Sequence, residues 1–116
     1  MDIEKGNFNE NINLAGFEIL EQTELDKTRE IIDSYVKKLQ EHGCLDELKL
    51  TLRQHPHGKS FKHKIKGIIL IGKKRFSAEI TEWNLYKAIS EVCEKLLAEV
   101  IHSFKKEQRH DKLVFK

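Results

Sequence analysis

The sequence contains 116 residues, which is enough to form one hydrophobic core but not two. Hydrophobic residues make up 39% of it and charged residues 34%, as in a globular domain, and no apolar run of about 18 residues could span a membrane. The net charge of +2 does not by itself indicate a polyanion partner, so the distribution of the charges has to be considered.

The N-terminal region and the cysteines bear on the cellular compartment. Residues 1–10 are polar, lack the apolar core of a signal peptide, and are predicted to form a flexible segment. Cys44 and Cys93 lie far apart without C-x-x-C spacing, and we interpret both as reduced thiols. The sequence therefore predicts a cytoplasmic protein that is not anchored in a membrane.

A short strand and an amphipathic helix begin the predicted domain. Residues 11–15 alternate between polar and apolar side chains, and Gly16 breaks the alternation. Thr23 and Asp26 form a variant of the capping box that opens a helix. The buried positions expected in this helix recur at helical spacing, and they are Leu25, Thr28, Ile32, Tyr35, Val36 and Leu39. The helix is predicted to end before Gly43.

A basic stretch, residues 49–75, follows this helix. It holds nine of the 21 Lys and Arg residues, three of the six His residues and no acidic residue. The part before it sums to −7, with five basic against twelve acidic residues, and the part after it sums to 0. Because clustering of charge sets the local electrostatic field, the basic stretch is the first indication of function.

Alternation within and around this stretch predicts three strands with a basic outer face. Successive side chains of a strand point to opposite faces of its sheet. The inner face then takes Leu48, Leu50, Leu52, Phe61, His63, Ile65, Ile69, Ile71, Phe76, Ala78 and Ile80. The outer face takes Lys49, Thr51, Arg53, Lys62, Lys64, Lys66, Arg75, Ser77 and Glu79. Ile68 and Leu70 would lie outside with the charges, and a bulge at Gly67 could turn that end of the strand over.

Turns and a second helix complete the pattern. We predict turns around Pro56 and Gly58 and at the pair Gly72 and Lys73. Asn84 is placed to cap a long helix, predicted to run to about residue 107, with a stripe formed by Leu85, Ile89, Val92, Leu96, Val100 and Phe104.

The predicted fold class is therefore α+β, in the order βαβββα, with a four-stranded sheet and two helices packed on one face. We expect residues 11–107 to form a single domain, residues 108–116 to form a C-terminal tail, and the chain to be a monomer.

The outer face and its two turns are the predicted contact surface for RNA phosphates. Phosphate contacts of this kind position a protein without reading bases. The candidate contact residues are Arg53, Lys59, Lys62, Lys64, Lys66, Lys73, Lys74 and Arg75. A lysine-rich strand face can also serve only to keep a sheet from aggregating, but such faces usually mix charge signs, and this stretch holds no acid.

Other residues with chemical potential give weaker indications. His55 and His57 have His-x-His spacing, and with His63 they could suggest a metal site, but no cysteine or carboxylate lies near them in the sequence. Trp83 and Tyr86 could stack on bases, although residues that flank a helix start more often belong to a core or a staple. No phosphate loop, catalytic cysteine–histidine motif or carboxylate cluster is present. We therefore predict a protein that is not an enzyme and that uses no metal, cofactor or small-molecule substrate.

Four segments together resemble the ribosome hibernation-promoting factor family, also described as ribosome-associated inhibitors. They are NINLAGFEI, the helix TREIIDSYVKKLQ, the hairpin ending SAEIT, and NLYKAISEVCEKL. The resemblance covers about residues 11–107 and implies the same βαβββα order. It also implies binding to the small ribosomal subunit and its rRNA where messenger and transfer RNA would lie, with inhibition of translation in stress or stationary phase. The chain is similar to the short members of the family.

The resemblance also implies contacts from the helices. Basic positions of the family correspond here to Arg29 and Lys38 in the first helix and to Lys95 and Lys106 in the second. At three positions where basic residues are common in the family, this chain has Tyr35, Ala98 and Phe104. At a fourth position, where the family has an acidic residue, it has Ser90.

Three functions stay open at the level of sequence. A ribosome-binding translation silencer would act by steric occlusion and requires no chemistry. A non-catalytic protein-interaction module of similar fold would use either the open sheet at Ile68 and Leu70 or the projecting end of the second helix, and its binding would be insensitive to salt. A general double-stranded RNA binder has a similar order of elements, but it would carry a basic cluster at the start of the second helix, where this chain has Trp83, Asn84 and Leu85.

Overall fold

The computed structural model describes residues 11–42 and 45–114, with side chains through residue 105. The elements in chain order are β1 (Ile12–Ala15), a 3-10 turn (Phe17–Ile19), α1 (Gln22–Gln40), β2 (Glu47–His57), β3 (Ser60–Ile71), β4 (Lys74–Glu82) and α2 (Leu85–Val114). The predicted flexible segment and Cys44 lie outside the described residues. Neither α1 nor α2, as far as they are described, is long and apolar enough to cross a membrane.

The four strands form one sheet in the order β1-β2-β3-β4. β1 pairs with β2 in parallel, with Ile12 opposite Leu48, and α1 makes the crossover between the two strands. β2, β3 and β4 form an antiparallel meander with an unbroken register. This arrangement confirms the predicted α+β fold and its βαβββα order.

Both helices contribute to a single core on one side of the sheet. α1 buries Leu25, Thr28, Ile32, Val36 and Leu39, and α2 buries Leu85, Ala88, Ile89, Val92, Cys93, Leu96 and Val100. The sheet contributes Leu48, Leu50, Leu52, Ile65, Ile69, Ile71 and Ala78 to the same core. These seven are among the eleven inner positions that alternation predicted. Of the other four, Phe76 and Ile80 are partly buried against the core, His63 is half-buried and Phe61 is exposed. The opposite side of the sheet is the one the helices leave uncovered.

The bulge that we considered at Gly67 is absent. Gly67 pairs with Leu50 on β2 and Ala78 on β4, and β3 alternates without interruption through Ile71. A Cβ atom added at Gly67 would lie 2.7 Å from Leu96 Cδ1 and 3.0 Å from Leu50 Cδ2. The glycine therefore gives α2 room to lie close to the sheet, and it does not mark a kink.

The start of α1 also differs from our prediction. The N-cap is Glu21, and its side chain accepts from the backbone of Glu24 while Glu24 Oε1 accepts from the Glu21 backbone N–H at 3.0 Å. The capping box thus lies two residues before Thr23 and Asp26. Two glutamates complete it because a carboxylate at the N-cap accepts from N–H groups as a hydroxyl does and also favours the positive end of the helix dipole.

The hairpin of β2 and β3 is longer than predicted. Pro56 belongs to β2 and pairs with Phe61, so the turn consists of Gly58 and Lys59 alone. Gly58 has φ +62°, a conformation that glycine adopts without strain. The second turn, at Gly72 and Lys73, is as predicted, and the Gly72 N–H donates to Asp46 Oδ2 at 2.6 Å.

The second helix begins as predicted but continues further. Asn84 Oδ1 accepts from the Lys87 backbone N–H at 2.9 Å, which is the expected capping bond. α2 then runs to Val114 and not to about residue 107, so residues 108–114, which we placed in a tail, are helical. Their sequence lacks an apolar stripe, and that is why periodicity gave no sign of a helix there.

Candidate nucleic-acid interface

The surface of the sheet opposite the helices, which we call the open face, carries most of the basic stretch. Its six cations, named the basic face below, are Lys49, Arg53, Lys62, Lys64, Lys66 and Arg75, and all are exposed or half-exposed. A shallow groove of about 560 Å³ crosses the middle of this surface, lined by Ala15, Lys49, Thr51, Arg53, Lys64, Lys66, Ile68 and Glu79. The open face is therefore both concave and basic.

Strand register brings these cations into close rows. Arg53 on β2 lies opposite Lys64 on β3. Directly opposite side chains of an antiparallel pair have Cβ atoms about 5 Å apart, and like charges at that separation repel. Lys62, Lys64 and Lys66 add a second row along β3, with about 7 Å between alternate residues. Such a surface is stabilised when an anion binds it.

Glu79 is the acidic residue that enters the groove. Its carboxylate Oε2 lies 2.8 Å from Lys64 Nζ, although the residue directly opposite Glu79 on β3 is Lys66. The hydrogen bond and charge of Lys64, followed by the charge of Lys66, hold the pKa of Glu79 below its usual value. Glu79 therefore stays ionised and competes with any bound anion for the Lys64 ammonium.

At the hairpin end of the open face, Trp83 is more exposed than the sequence indicated. Its exposed fraction is 52%, so it is neither a core residue nor a packed staple. Lys62 Nζ lies 5.0 Å from the centre of its ring, and the His57 ring meets it edge-on with 5.4 Å between centroids. Tyr86, which we grouped with it, is half-buried, packs against the core and has Lys27 Nζ 4.8 Å from its ring centre.

The third histidine of the basic stretch has a structural role. His63 Nδ1 lies 2.8 Å from the carbonyl oxygen of Trp83, which can only accept, so Nδ1 carries a proton and donates it. Nε2 then accepts from Gln54 Nε2 at 3.2 Å. Within the described residues, no three His, Cys, Asp or Glu side chains group closely enough to hold a metal ion.

The predicted turn residues do not all join the open face. Lys59 and Lys73 are exposed in the two turns, at opposite ends of β3. Lys74 instead reaches back to the helical side, where its Nζ donates to Ser103 Oγ at 3.0 Å and lies 5.6 Å from the centre of the Phe104 ring. Alternation along β4 explains this position, because Lys74 shares its side of the strand with Phe76 and Ala78.

The residues implied by the family resemblance lie on the helices, on the other side of the molecule. Arg29 Nη1 is 3.8 Å from Asp26 Oδ1, and a shallow depression beside them is also lined by Glu30 and Asp33. This part of α1 is acidic and would repel phosphates.

The remaining helical candidates are dispersed. Lys38 Nζ lies 5.2 Å from the centre of the Tyr35 ring, and Lys95 lines a separate depression with Phe76 and His102. Lys106 belongs to α2 at a position beyond the described side chains. The structure thus gathers the sheet cations into one surface and does not gather the helical ones with them.

Two features of the open face were not among our predicted site residues. Lys49 lines the groove, and alternation had placed it on the outer face, so the pattern itself was sufficient to include it. We interpret Trp83 in the sequence from its position before a helix. It follows Thr81 by two residues, however, and Thr81 lies on the outer side of β4, so alternation places Trp83 on the open face. Ile68 and Leu70 do lie on this face, half-buried among the charges, as strict alternation requires.

The comparison with solved structures shows the fold. The chain is similar to the N-terminal domain of Protein Y from Thermus thermophilus, with a TM-score of 0.55 and 20% sequence identity over 78% of this chain and 96% of that domain. No protein-family model and no curated protein sequence matches the chain. At this level of identity, the likeness shows a shared α+β architecture, and the functional argument depends on the surface described above.

Proposed function

We propose that the chain is a ribosome-associated factor that binds rRNA of the small subunit, in the channel used by messenger and transfer RNA, and inhibits translation there. The sequence resemblance to the hibernation-promoting factors implies this role, and the fold shared with the Protein Y domain is the one that the resemblance implies. The proposal places the protein in the cytoplasm, with the ribosome as its partner.

The observation that carries the proposal is the basic face. Six cations lie on the open face against two carboxylates, Glu79, which is paired with Lys64, and Glu47, which accepts a hydrogen bond from Asn13 Nδ2. Strand pairing fixes the backbone of these residues, so an extended phosphate backbone could contact several of them without reorganising the fold. A surface kept only for solubility would carry the two signs of charge in more equal number.

The inhibitory mechanism that fits this surface is steric occlusion. Ribosomal RNA presents folded A-form and single-stranded surfaces that proteins recognise mainly by shape and by phosphate contacts. A domain held in the decoding channel by its basic face would exclude mRNA and tRNA by its volume. No side chain in this mechanism has to act as an acid, a base or a nucleophile.

The experiment that tests the proposal is co-sedimentation with purified ribosomal subunits at low and high salt. One variant replaces Lys62, Lys64 and Lys66 by Glu. A matched control replaces Arg29, Lys38 and Lys95 by Glu, which changes the net charge by the same amount on the helical side. We expect the wild type and the control to travel with the small subunit at low salt, and the sheet variant to remain at the top of the gradient.

The other outcomes identify which part of the proposal fails. If the control loses binding and the sheet variant retains it, the helices carry the contact as the family resemblance implies, and the basic face does not. If the wild type fails to bind at either salt, ribosome binding itself is refuted. Inhibition is tested separately by adding the wild type to a translation reaction, where excess mRNA should relieve the block if occlusion is its cause.

One observation favours a second candidate, a protein-interaction module. Ile68 and Leu70 are half-buried on the open face, and Ile68 lines the groove. A protein partner that covered them would bind without the steep salt dependence that phosphate contacts impose. Salt-insensitive binding to a protein, with no co-sedimentation, would favour this function.

A further inference from the structure

The hairpin end of the open face holds an aromatic residue that the phosphate contacts leave unexplained. Trp83 is 52% exposed while Lys62 and His57 are both in contact with its ring. Exposing this much of a large apolar side chain is unfavourable, because burying it would stabilise the fold by roughly 25 cal/mol for each Å² removed from water. A structural role as a helix staple does not account for it, since the residue four positions into α2 is the small, fully buried Ala88.

The backbone on both sides of Trp83 is held in place. Its carbonyl oxygen accepts from His63 Nδ1 at 2.8 Å, and His63 is fixed in turn by Gln54. The next residue, Asn84, caps α2 through its bond with the Lys87 N–H. These hydrogen bonds fix the backbone that carries the ring, so little backbone freedom would be lost when a ligand packs against Trp83.

The charges around the ring suit a nucleotide. Lys62 Nζ lies 5.0 Å from the ring centre, and Arg53 and Lys64 continue the row of cations along the same face. An aromatic ring beside a row of cations is the arrangement with which proteins hold single strands, because the ring stacks on a base while the cations follow the phosphates. A regular duplex keeps its bases stacked inside and cannot present one to the ring.

We propose that Trp83 stacks on one unpaired RNA base and that Lys62 neutralises a phosphate beside that base. The basic face then positions the backbone, and Trp83 selects for a segment with at least one base out of a helix. The inference rests on the proposed function only for the source of the RNA, since rRNA is rich in unpaired bases, whereas the contact itself is open to test with short oligonucleotides.

Trp83 is the single tryptophan of the chain, so its fluorescence reports on this site directly. The probe is single-stranded oligoadenylate of about ten nucleotides, within the range that small binding folds cover. Inorganic polyphosphate serves as a polyanion without bases, and a blunt RNA duplex serves as RNA without free bases. We expect oligoadenylate to quench the fluorescence and the other two to bind without comparable quenching.

Three variants measure the contribution of the ring to affinity. Trp83→Leu is expected to weaken oligoadenylate binding about 5- to 150-fold, the range that corresponds to loss of one base–aromatic stack, and Trp83→Phe should recover part of the loss. Phe61→Leu is the matched control, because Phe61 is another exposed aromatic at the same end of the sheet, with an exposed fraction of 49%, but on the opposite side of β3. It should bind as tightly as the wild type.

Equal quenching by oligoadenylate and polyphosphate would overturn the inference, because movement of Lys62 would then explain the signal. Wild-type affinity in Trp83→Leu would overturn it as well. Quenching by oligoadenylate without binding to ribosomal subunits would leave the stacking site standing and refute only the proposed source of the RNA. Because the fluorescence titration uses the wild type, the test stands even if a variant fails to fold.

Discussion

The contact between Gly67 and α2 provides a test of how the sheet that carries the basic face is built. In Gly67→Ala, the new methyl group would lie 2.7 Å from Leu96 Cδ1, 3.0 Å from Leu50 Cδ2 and 3.4 Å from Val92 Cγ2. Carbon atoms in contact prefer about 3.5–4.0 Å, so the Leu96 methyl has to retreat by most of an ångström. All three neighbours are almost completely buried, which leaves them little space to do so.

Two effects of opposite sign decide the magnitude. Overpacking of a well-packed core destabilises by about 1–3 kcal/mol. Replacing glycine by alanine reduces the conformational freedom of the unfolded chain and stabilises by about 0.4–1 kcal/mol. We therefore expect the free energy of unfolding to fall by about 1–2 kcal/mol, which corresponds to a Tm lower by about 5–10 °C for a domain of this size.

The assay is urea and thermal unfolding of Gly67→Ala, Leu96→Ala and the double variant. Leu96→Ala alone should destabilise by about 2–5 kcal/mol because it leaves a cavity. In the double variant the alanine methyl enters that cavity, so the combined loss should be smaller than the sum of the two single losses. Two results would refute the reasoning: a Gly67→Ala protein as stable as the wild type, or single losses that add to within about 0.5 kcal/mol.

Four further predictions concern the basic face, the core thiol and a helix cap. If all cations of the basic face contact phosphates, log affinity for RNA should fall with log salt with a slope of about −4 to −5, and replacing the three β3 lysines by Ala should halve the slope. Glu79→Gln should strengthen RNA binding roughly two- to fivefold at low salt, as measured by anisotropy, because it frees Lys64. Burial raises the pKa of the Cys93 thiol from 9.0 to about 12, so in a Cys44→Ser background this thiol should resist alkylation at pH 8. The thiol of the unfolded chain loses its proton at a lower pH than the buried thiol of the folded protein. The free energy of unfolding should therefore fall as pH rises from about 9 to 12. Asn84→Ala should lower the free energy of unfolding by about 1 kcal/mol in urea titrations, whereas an unchanged midpoint would mean that the cap contributes nothing.

Alternation along the strands was sufficient to predict the composition of the open face. Lys49, Arg53, Lys62, Lys64 and Lys66 lie where period-two patterning placed them, because a sheet with one buried face fixes the register of every side chain. The same rule, applied strictly, also gave the position of Lys74 on the helical side, although we had grouped it with the turns. Alternation along β4 therefore predicts the side of the sheet on which Lys74 lies, whereas its proximity to a turn does not.

Two features of the fold were not predicted correctly, one that depends on contacts between distant segments and one that is local. At Gly67, the pattern allowed a bulge, and only the position of Leu96 on α2 shows why glycine is required in a regular strand. At the start of α1, we predicted a capping box of Thr23 and Asp26, whereas Glu21 and Glu24 form it. The contact at Gly67 is set by how the elements pack, which a local pattern does not contain, whereas the cap is a local interaction for which we predicted the wrong pair.

The exposure of Trp83 illustrates the same point at the candidate site. A tryptophan just before a helix cap is commonly packed, and its burial here depends on whether α2 turns back over the ring or away from it. α2 starts on the covered side of the sheet while Trp83 remains on the open face, where it contacts Lys62 and His57. The helix that forms the core therefore leaves the ring beside the basic face, and the stacking surface and the phosphate contacts become parts of one site.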